Sequence, residues 1–252
     1  MSRPKTKSEL LQHKQDAISS LSNYLTDLIN SDDPKLNGKA DKLSYWITDW
    51  MNFLKFEPQF SPISLRRYKR GEIIKVHLGF NIGSEEGGLH YAVVIDKENA
   101  KSSPVVTVVP LTSVKPNTDV TSLKSGSIFL GNELFTSLNA KISATKKHLS
   151  DELDTLQKIV DKMSNNATEE EKADLRSHID SCSAEIILTN KMRNEIQKMK
   201  IGSIALVNQI TTISKIRIYD PKTDHDILSN IKLSNEKLDL IDSEIQKKYT
   251  NF

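Results

Sequence analysis

The chain has one cysteine, Cys182, in 252 residues. That excludes an internal disulfide and any thiolate metal cluster, and it points to a reducing cytoplasm. Long apolar runs are missing too: none approaches the ~20 residues of a membrane span. The basic start (Arg3, Lys5, Lys7) leads into polar residues instead of an apolar stretch, so no secretory signal is visible. Charge of one sign is scarce. A net charge of +2 excludes the strongly basic class of nucleic-acid binder. The few glycines form neither a GxGxxG nor a Walker-type spacing. His13, His77, His148, His178 and His225 share no metal-ligand spacing with one another or with Cys182, so each is expected to be solvated or hydrogen-bonded, and no metal or cofactor is expected. What is present is 37 % apolar and 27 % charged residues, the balance of a soluble protein with much exposed helix; the helix and strand patterns that follow make the expected fold class α+β. The length suffices for one good core or two modest ones.

Periodicity divides the chain into four stretches. Residues 1–66 read as a helical module. Leu11, Ile18, Leu21, Leu25 and Leu28 recur at helical steps; Ser31-Asp32-Asp33-Pro34 breaks the pattern, with Gly38 in the connecting turn. A second helix is expected over Lys39–Phe56, its apolar face holding Trp46 and Trp50. These tryptophans could stack on bases, but packing against the rest of the protein is the favoured reading. Arg66, Arg67, Lys69 and Arg70 read as a solvated linker edge in preference to a phosphate contact.

From residue 67 to 132 the pattern turns to β-branched runs: Ile73–Leu78, Leu89–Ile95, Val105–Leu111 and Gly126–Gly131. Val105–Pro110 is apolar throughout, as in a strand buried on both faces. Residues 133–199 carry heptads: Phe135, Leu138, Ile142, Thr145, Leu149, Glu152 or Leu153, Leu156, Val160 and Met163, then Leu175, Ile179, Cys182, Ile186, Thr189, Arg193, Ile196 and Met199. A polar turn at Ser164-Asn165-Asn166 and a capping box at Thr168 and Glu171 separate them, which predicts an antiparallel coiled-coil hairpin. Its ends, near Glu133 and Lys200, should meet. The arm carries no candidate catalytic residue and is expected to be removable from the sheet. Strand patterns resume over 200–218, Asp220-Pro221 turns the chain, and a helix capped by Ser234 closes it, burying Leu238, Ile241 and Ile245.

The stretch GFNIGSEEGGLHYAVVI, followed by PVVTVVPLTS, joins two strands by a loop with Gly83, Ser84, Glu85, Glu86, Gly87 and Gly88, and ends a third strand on Thr112 and Ser113. It resembles the MazF/PemK toxins of type II toxin–antitoxin systems. The resemblance spans about 68–132 and 200–252, and it implies a small SH3-like, CcdB/MazF-like β-barrel with a C-terminal helix, interrupted by the hairpin and preceded by the helical module.

The family's activity is metal-independent cleavage of single-stranded RNA, which needs a base for the 2′-hydroxyl, donors for the phosphoryl oxygens and an acid for the leaving 5′-oxygen. The resemblance assigns this work to the residue after the glycine pair and to the threonine ending the third strand. These are His90, in place of the usual arginine, and Thr112. Histidine can exchange a proton where arginine supplies only charge. Ser84, Glu85, Ser113, Gln209 and Lys215 become substrate-groove candidates. The acid found beside the glutamine in some members is Asn208 here, and Thr211 stands where many have a basic residue. The implied protein is a cytoplasmic, homodimeric toxin with endoribonuclease activity, held by a protein antitoxin. The alternative is a non-catalytic member of the same fold that binds RNA, DNA gyrase or a protein partner.

Overall fold

A computed structural model of the chain describes residues 5–162, 168–200 and 202–251. The chain forms two compact units, residues 1–58 and 59–252.

The first unit is a helical hairpin. Helix α1 (Lys7–Ile29) opens on a reciprocal cap between Thr6 and Glu9: the Glu9 N–H donates to the Thr6 hydroxyl at 3.3 Å, and the Thr6 N–H donates to the Glu9 carboxylate at 2.7 Å. Helix α2 (Pro34–Phe56) begins five residues before the expected Lys39. Gly38 lies inside it, because Asp33 accepts from the Lys35 N–H and Pro34 takes the first helical position, where a missing N–H costs nothing. The Asn37 amide donates to the carbonyls of Leu28, Ile29 and Ser31, each at 3.0 Å, and so satisfies the open end of α1. Trp46 packs on Phe53 with ring centroids 6.3 Å apart, while Leu11, Ile18 and Trp50 stay exposed.

In the second unit seven antiparallel strands form one sheet: β1 (Ile73–His77), β2 (Leu89–Val94), β3 (Val105–Ser113), β4 (Ser127–Gly131), β5 (Ser203–Leu206), β6 (Thr211–Ser214) and β7 (Ile218–Asp220). Their order is β4-β5-β3-β2-β1-β7, with β6 also on β3. The nine-residue β3 pairs with β2 on one side and with both β5 and β6 on the other. Leu111 faces Ala205 but Val108 faces Thr211, so the β5–β6 strand carries three extra residues across this step. They are a 3-10 turn at Val207–Gln209, opposite Pro110, which has no N–H to offer a ladder. A second 3-10 turn, Lys215–Arg217, takes the chain from β6 to β7 beside β1.

Alternating residues feed two cores. Ile74, Val76, Ala92, Val94, Val106, Val108, Ile213 and Ile218 close the inside of the curled sheet around Tyr68. Ile73, Val93, Val109 and Leu111 face outward and are covered by the start of helix α3 (Glu133–Lys162) and by helix α5 (Asn235–Tyr249). Burial on both faces is what the unbroken apolar pattern of β3 requires. Ser234 caps α5 and donates to Glu133 at 2.6 Å, and Leu238, Ile241 and Ile245 face the core.

Helices α3 and α4 (Glu169–Lys198) form the antiparallel hairpin, with the Thr168–Glu171 capping box in place. The expected turn residues, with Met163, lie outside the described residues. The seam differs from the expected one. Ile159 replaces Val160 on α3, and His178, Glu185 and Met192 replace Ile179, Ile186 and Arg193 on α4. Ion pairs across the arms explain the shift: His178 meets Glu152 at 2.8 Å and His148 meets Glu185 at 2.7 Å, so polar residues hold seam positions and the isoleucines turn outward. The base of the hairpin packs into the sheet's outer core. Leu134 and Leu138 are core residues, and the Lys141 ammonium donates to the carbonyls of Asp226, Ile227 and Ser229 at 2.9–3.0 Å. The basic cluster departs from the reading of a solvated edge. Arg66 is buried between Glu72 at 3.1 Å and Asp224 at 2.9 Å, and Arg70 pairs with Asp242, leaving Arg67 and Lys69 exposed.

Candidate active site

The loop between β1 and β2 is ordered by its own backbone. Leu78 donates to the Gly88 carbonyl at 2.7 Å and Gly88 donates to Gly79 at 2.6 Å, drawing the two strand ends together. A Cβ on Gly87 would sit 2.8 Å from the Gly79 oxygen, and Gly88 has φ +86°, so both glycines answer a steric demand. Asn81 spans the loop to the Leu78 and Glu86 carbonyls, and Glu85 accepts from the Ile82 N–H.

Gln209 holds this loop to the sheet. The 3-10 turn that interrupts β5–β6 brings its amide to the loop, where it donates to the Ser84 carbonyl at 3.1 Å and accepts from the Glu86 N–H at 3.2 Å. Beneath lies a cavity of ≈ 380 Å³ lined by Leu78, Glu85, Glu86, Asn208, Gln209 and Arg217, among others. Arg217 donates to the His77 carbonyl at 2.7 Å. Burial lowers its pKa, yet a guanidinium remains charged at any working pH.

His90 stands on β2 at the mouth of the curled sheet. Its Nδ1 lies 3.3 Å from the Leu111 carbonyl and 4.0 Å from a Glu86 oxygen. A carbonyl oxygen can only accept, so Nδ1 carries the proton and Nε2 of the neutral ring is left as the acceptor. The β2–β3 register pairs Tyr91 with Leu111, and one step further sets Thr112 opposite His90. The two residues expected to carry chemistry are therefore neighbours across strands 22 positions apart in sequence.

Thr112 and Ser113 line a second cavity, of ≈ 280 Å³, with Lys75, Tyr91, Glu195, Lys198, Lys200 and Ser203. Glu195 belongs to α4, so the hairpin lines this cavity with one of its own carboxylates. Its carboxylate accepts from both the Lys75 ammonium and the Tyr91 hydroxyl. Burial pushes Glu195 up, but those two hydrogen bonds, together with the charges of Lys75 and Lys198, hold it below the usual carboxylate range. Burial, then the bond to Glu195, drives the Tyr91 phenol well above its ordinary value.

The other candidates are placed as follows. Ser84 and Glu85 are exposed on the loop and Ser113 at the strand end. Lys215 does not reach a groove. It is 1 % exposed, donates to the Ala100 carbonyl at 3.0 Å and lies over the Tyr68 ring, and burial lowers its pKa. Glu86, Arg217 and Glu195 were not singled out by sequence reasoning. Glu86 had a signal, its spacing of four from His90; the other two depend on contacts between distant segments.

Residues 69–180 match the family model described as PemK-like, MazF-like toxin of type II toxin-antitoxin system. That stretch, which holds β1 to β4, is similar to the PemK/MazF toxins. No curated protein matches it. The match continues past β4 into α4 and stops before β5, so the expected likeness at 200–252 lies outside it. What ties the later strands to the matched stretch is pairing: β5 and β6 with β3, and β7 with β1. Among the described residues, no helix is long and apolar enough to cross a membrane.

Proposed function

We propose that this PemK/MazF domain is the toxin of a type II toxin–antitoxin pair and cleaves single-stranded RNA without a metal. The observation that carries the reading is the placement of His90 across from Thr112, with Glu86 at 4.0 Å from the imidazole. Nε2 of His90 accepts the 2′-hydroxyl proton as the 2′-oxygen attacks phosphorus. The imidazolium so formed is stabilised by Glu86, and Thr112 donates to a phosphoryl oxygen. The P–O5′ bond breaks, the 5′-oxygen takes the proton back from the His90 imidazolium through a solvent water, and a 2′,3′-cyclic phosphate and a 5′-hydroxyl result. Gln209 and the glycine loop, with Ser84 and Glu85, border the strand's path, and Ser113 continues it beyond Thr112. By family likeness the toxin acts in the cytoplasm as a homodimer, restrained by a protein antitoxin.

The test is incubation of the purified protein with a long single-stranded RNA in EDTA and chemical mapping of the ends. Cyclic phosphate and 5′-hydroxyl ends are expected. Products with 5′-phosphates, or loss of cleavage on chelation, would refute the chemistry. No cleavage under any condition would favour a binding protein on the same fold.

A further inference from the structure

The two cavities, one lined by Glu86 and the other by Thr112, differ in charge. The one under the glycine loop has Glu85 and Glu86 against Arg217. The one at the base of the hairpin has Lys75, Lys198 and Lys200 against Glu195 alone, and adds the hydroxyls of Thr112, Ser113 and Ser203. A phosphate is therefore attracted to the second and repelled from the first. Within the second cavity, the Lys75 ammonium and the Tyr91 hydroxyl converge on the same oxygen of Glu195, Oε1. Two donors aimed at one anionic oxygen, with hydroxyls lining the same space, are the arrangement a phosphoryl oxygen requires.

We propose that the cavity at the base of the hairpin is a phosphate subsite for the RNA backbone, and that the hairpin's own Glu195 occupies it until substrate displaces it. The inference rests on the reading of RNA as substrate and extends it to a site that only the hairpin completes. A carboxylate and a phosphodiester each bring one negative charge to the same donors, so they exclude one another. Lys75 is also flanked by the rings of Tyr91 at 5.3 Å and Tyr219 at 5.9 Å, which restrict where its ammonium can go once Glu195 leaves. The hairpin thereby competes with substrate directly, and whatever fixes α4 against the sheet raises the concentration of RNA needed.

The experiment measures binding of a fluorescent single-stranded oligonucleotide with 2′-O-methyl groups, which lacks the attacking hydroxyl and so cannot be cut. Full-length protein is compared with Glu195→Ala, Glu195→Gln, and Glu195→Ala combined with Lys75→Ala. Removal of the competing carboxylate should tighten binding about tenfold, the worth of one charge-assisted contact. Glu195→Gln should follow in the same direction, and it serves alone if the alanine variant fails to fold. The double variant should lose the gain. Unchanged or weaker binding in the single variants would overturn the proposal. If no form binds the oligonucleotide, inorganic phosphate is titrated at constant ionic strength while the backbone amide resonances of Ser113 and Ser203 are followed. Saturable shifts in Glu195→Ala, at lower phosphate than in the unsubstituted protein, would keep the anion site while removing RNA as its ligand. The absence of such shifts would overturn both.

Discussion

Replacement of Gln209 by alanine should loosen the glycine loop without unfolding the sheet. Gln209 makes two loop contacts, to the Ser84 carbonyl at 3.1 Å and from the Glu86 N–H at 3.2 Å. Both are neutral hydrogen bonds, worth about 1 kcal/mol each, and the one to Ser84 is open to water and counts for less. The loss is therefore about 1–2 kcal/mol, confined to the loop because Gln209 belongs to neither core. Hydrogen exchange at the Glu86 amide should accelerate by about 5–30-fold, while amides in β1 and β2 keep their protection. Cleavage should fall as well, since Glu86 is held near His90 only while its own backbone is latched. Gln209→Glu keeps an acceptor for the Glu86 N–H but loses the donor to Ser84 and adds charge beside Glu85, so its loop should exchange at an intermediate rate. Unaltered exchange at Glu86 in the alanine variant would refute the latch, and unaltered cleavage with a loosened loop would refute the role given to Glu86.

Other substitutions probe separate parts of the argument. His90→Ala should lower the cleavage rate by about 10²-fold or more, and His90→Arg, which restores charge but not proton transfer, should leave most of that loss in place; single-turnover rates check both. Leu138→Ala, fully buried in the outer core, should cost about 2–5 kcal/mol by urea unfolding, whereas Ile187→Ala on the outward face of α4 should stay within about 0.5 kcal/mol. The His178–Glu152 bond raises the His178 pKa. That contribution is complete below the unfolded histidine value, about 6.5, and is lost as pH rises through the folded value, so amides in the distal hairpin should exchange faster, beyond the intrinsic pH effect, above neutrality; Glu152→Gln should abolish this difference.

The strands were legible because each is a short β-branched run bounded by glycine, proline or asparagine, and the buried β3 showed as an apolar stretch too long to alternate. The proximity of His90 and Thr112 was likewise implicit, since His90 lies near the start of β2 and Thr112 near the end of β3, and these consecutive strands pair antiparallel. The helical seam was misread for a physical reason. Ile179 and Ile186 look better suited to burial than His178 and Glu185, and only the partners Glu152 and His148 on the other arm reverse that preference. Lys215 was misplaced because β6 ends at Ser214, and the 3-10 turn that follows rotates the ammonium inward to the Ala100 carbonyl. Gly38 was read as a turn because glycine weakens helices, although Asp33 and Pro34 had already provided a start signal five residues earlier. Glu195 left no local trace. It lies 104 residues from Tyr91, and nothing in the heptad pattern distinguishes it from any other exposed glutamate.

That position of Glu195 also explains why the hairpin cannot be treated as an appendage. Strands β4 and β5 are antiparallel neighbours, with Gly131 opposite Ser203, so the connection between them begins and ends at adjacent points. A connection of that kind can lengthen at small entropic cost, because loop closure grows only with the logarithm of length. The two arms then offset even that cost by packing on each other around Cys182, Thr189 and Met192. The base of the hairpin nonetheless packs into the sheet. Leu134 and Leu138 cover Val109 and Leu111 on the strand that carries Thr112, and Ile196 and Met199 pack against the same core. Removal of the whole hairpin would bare the outer face of β3 and release Lys75 and Tyr91 together. Leu134, Leu138, Ile196 and Met199, at the base of α3 and α4, therefore share the outer core of the sheet, whereas Ile142 and Met192 further along the arms do not belong to it.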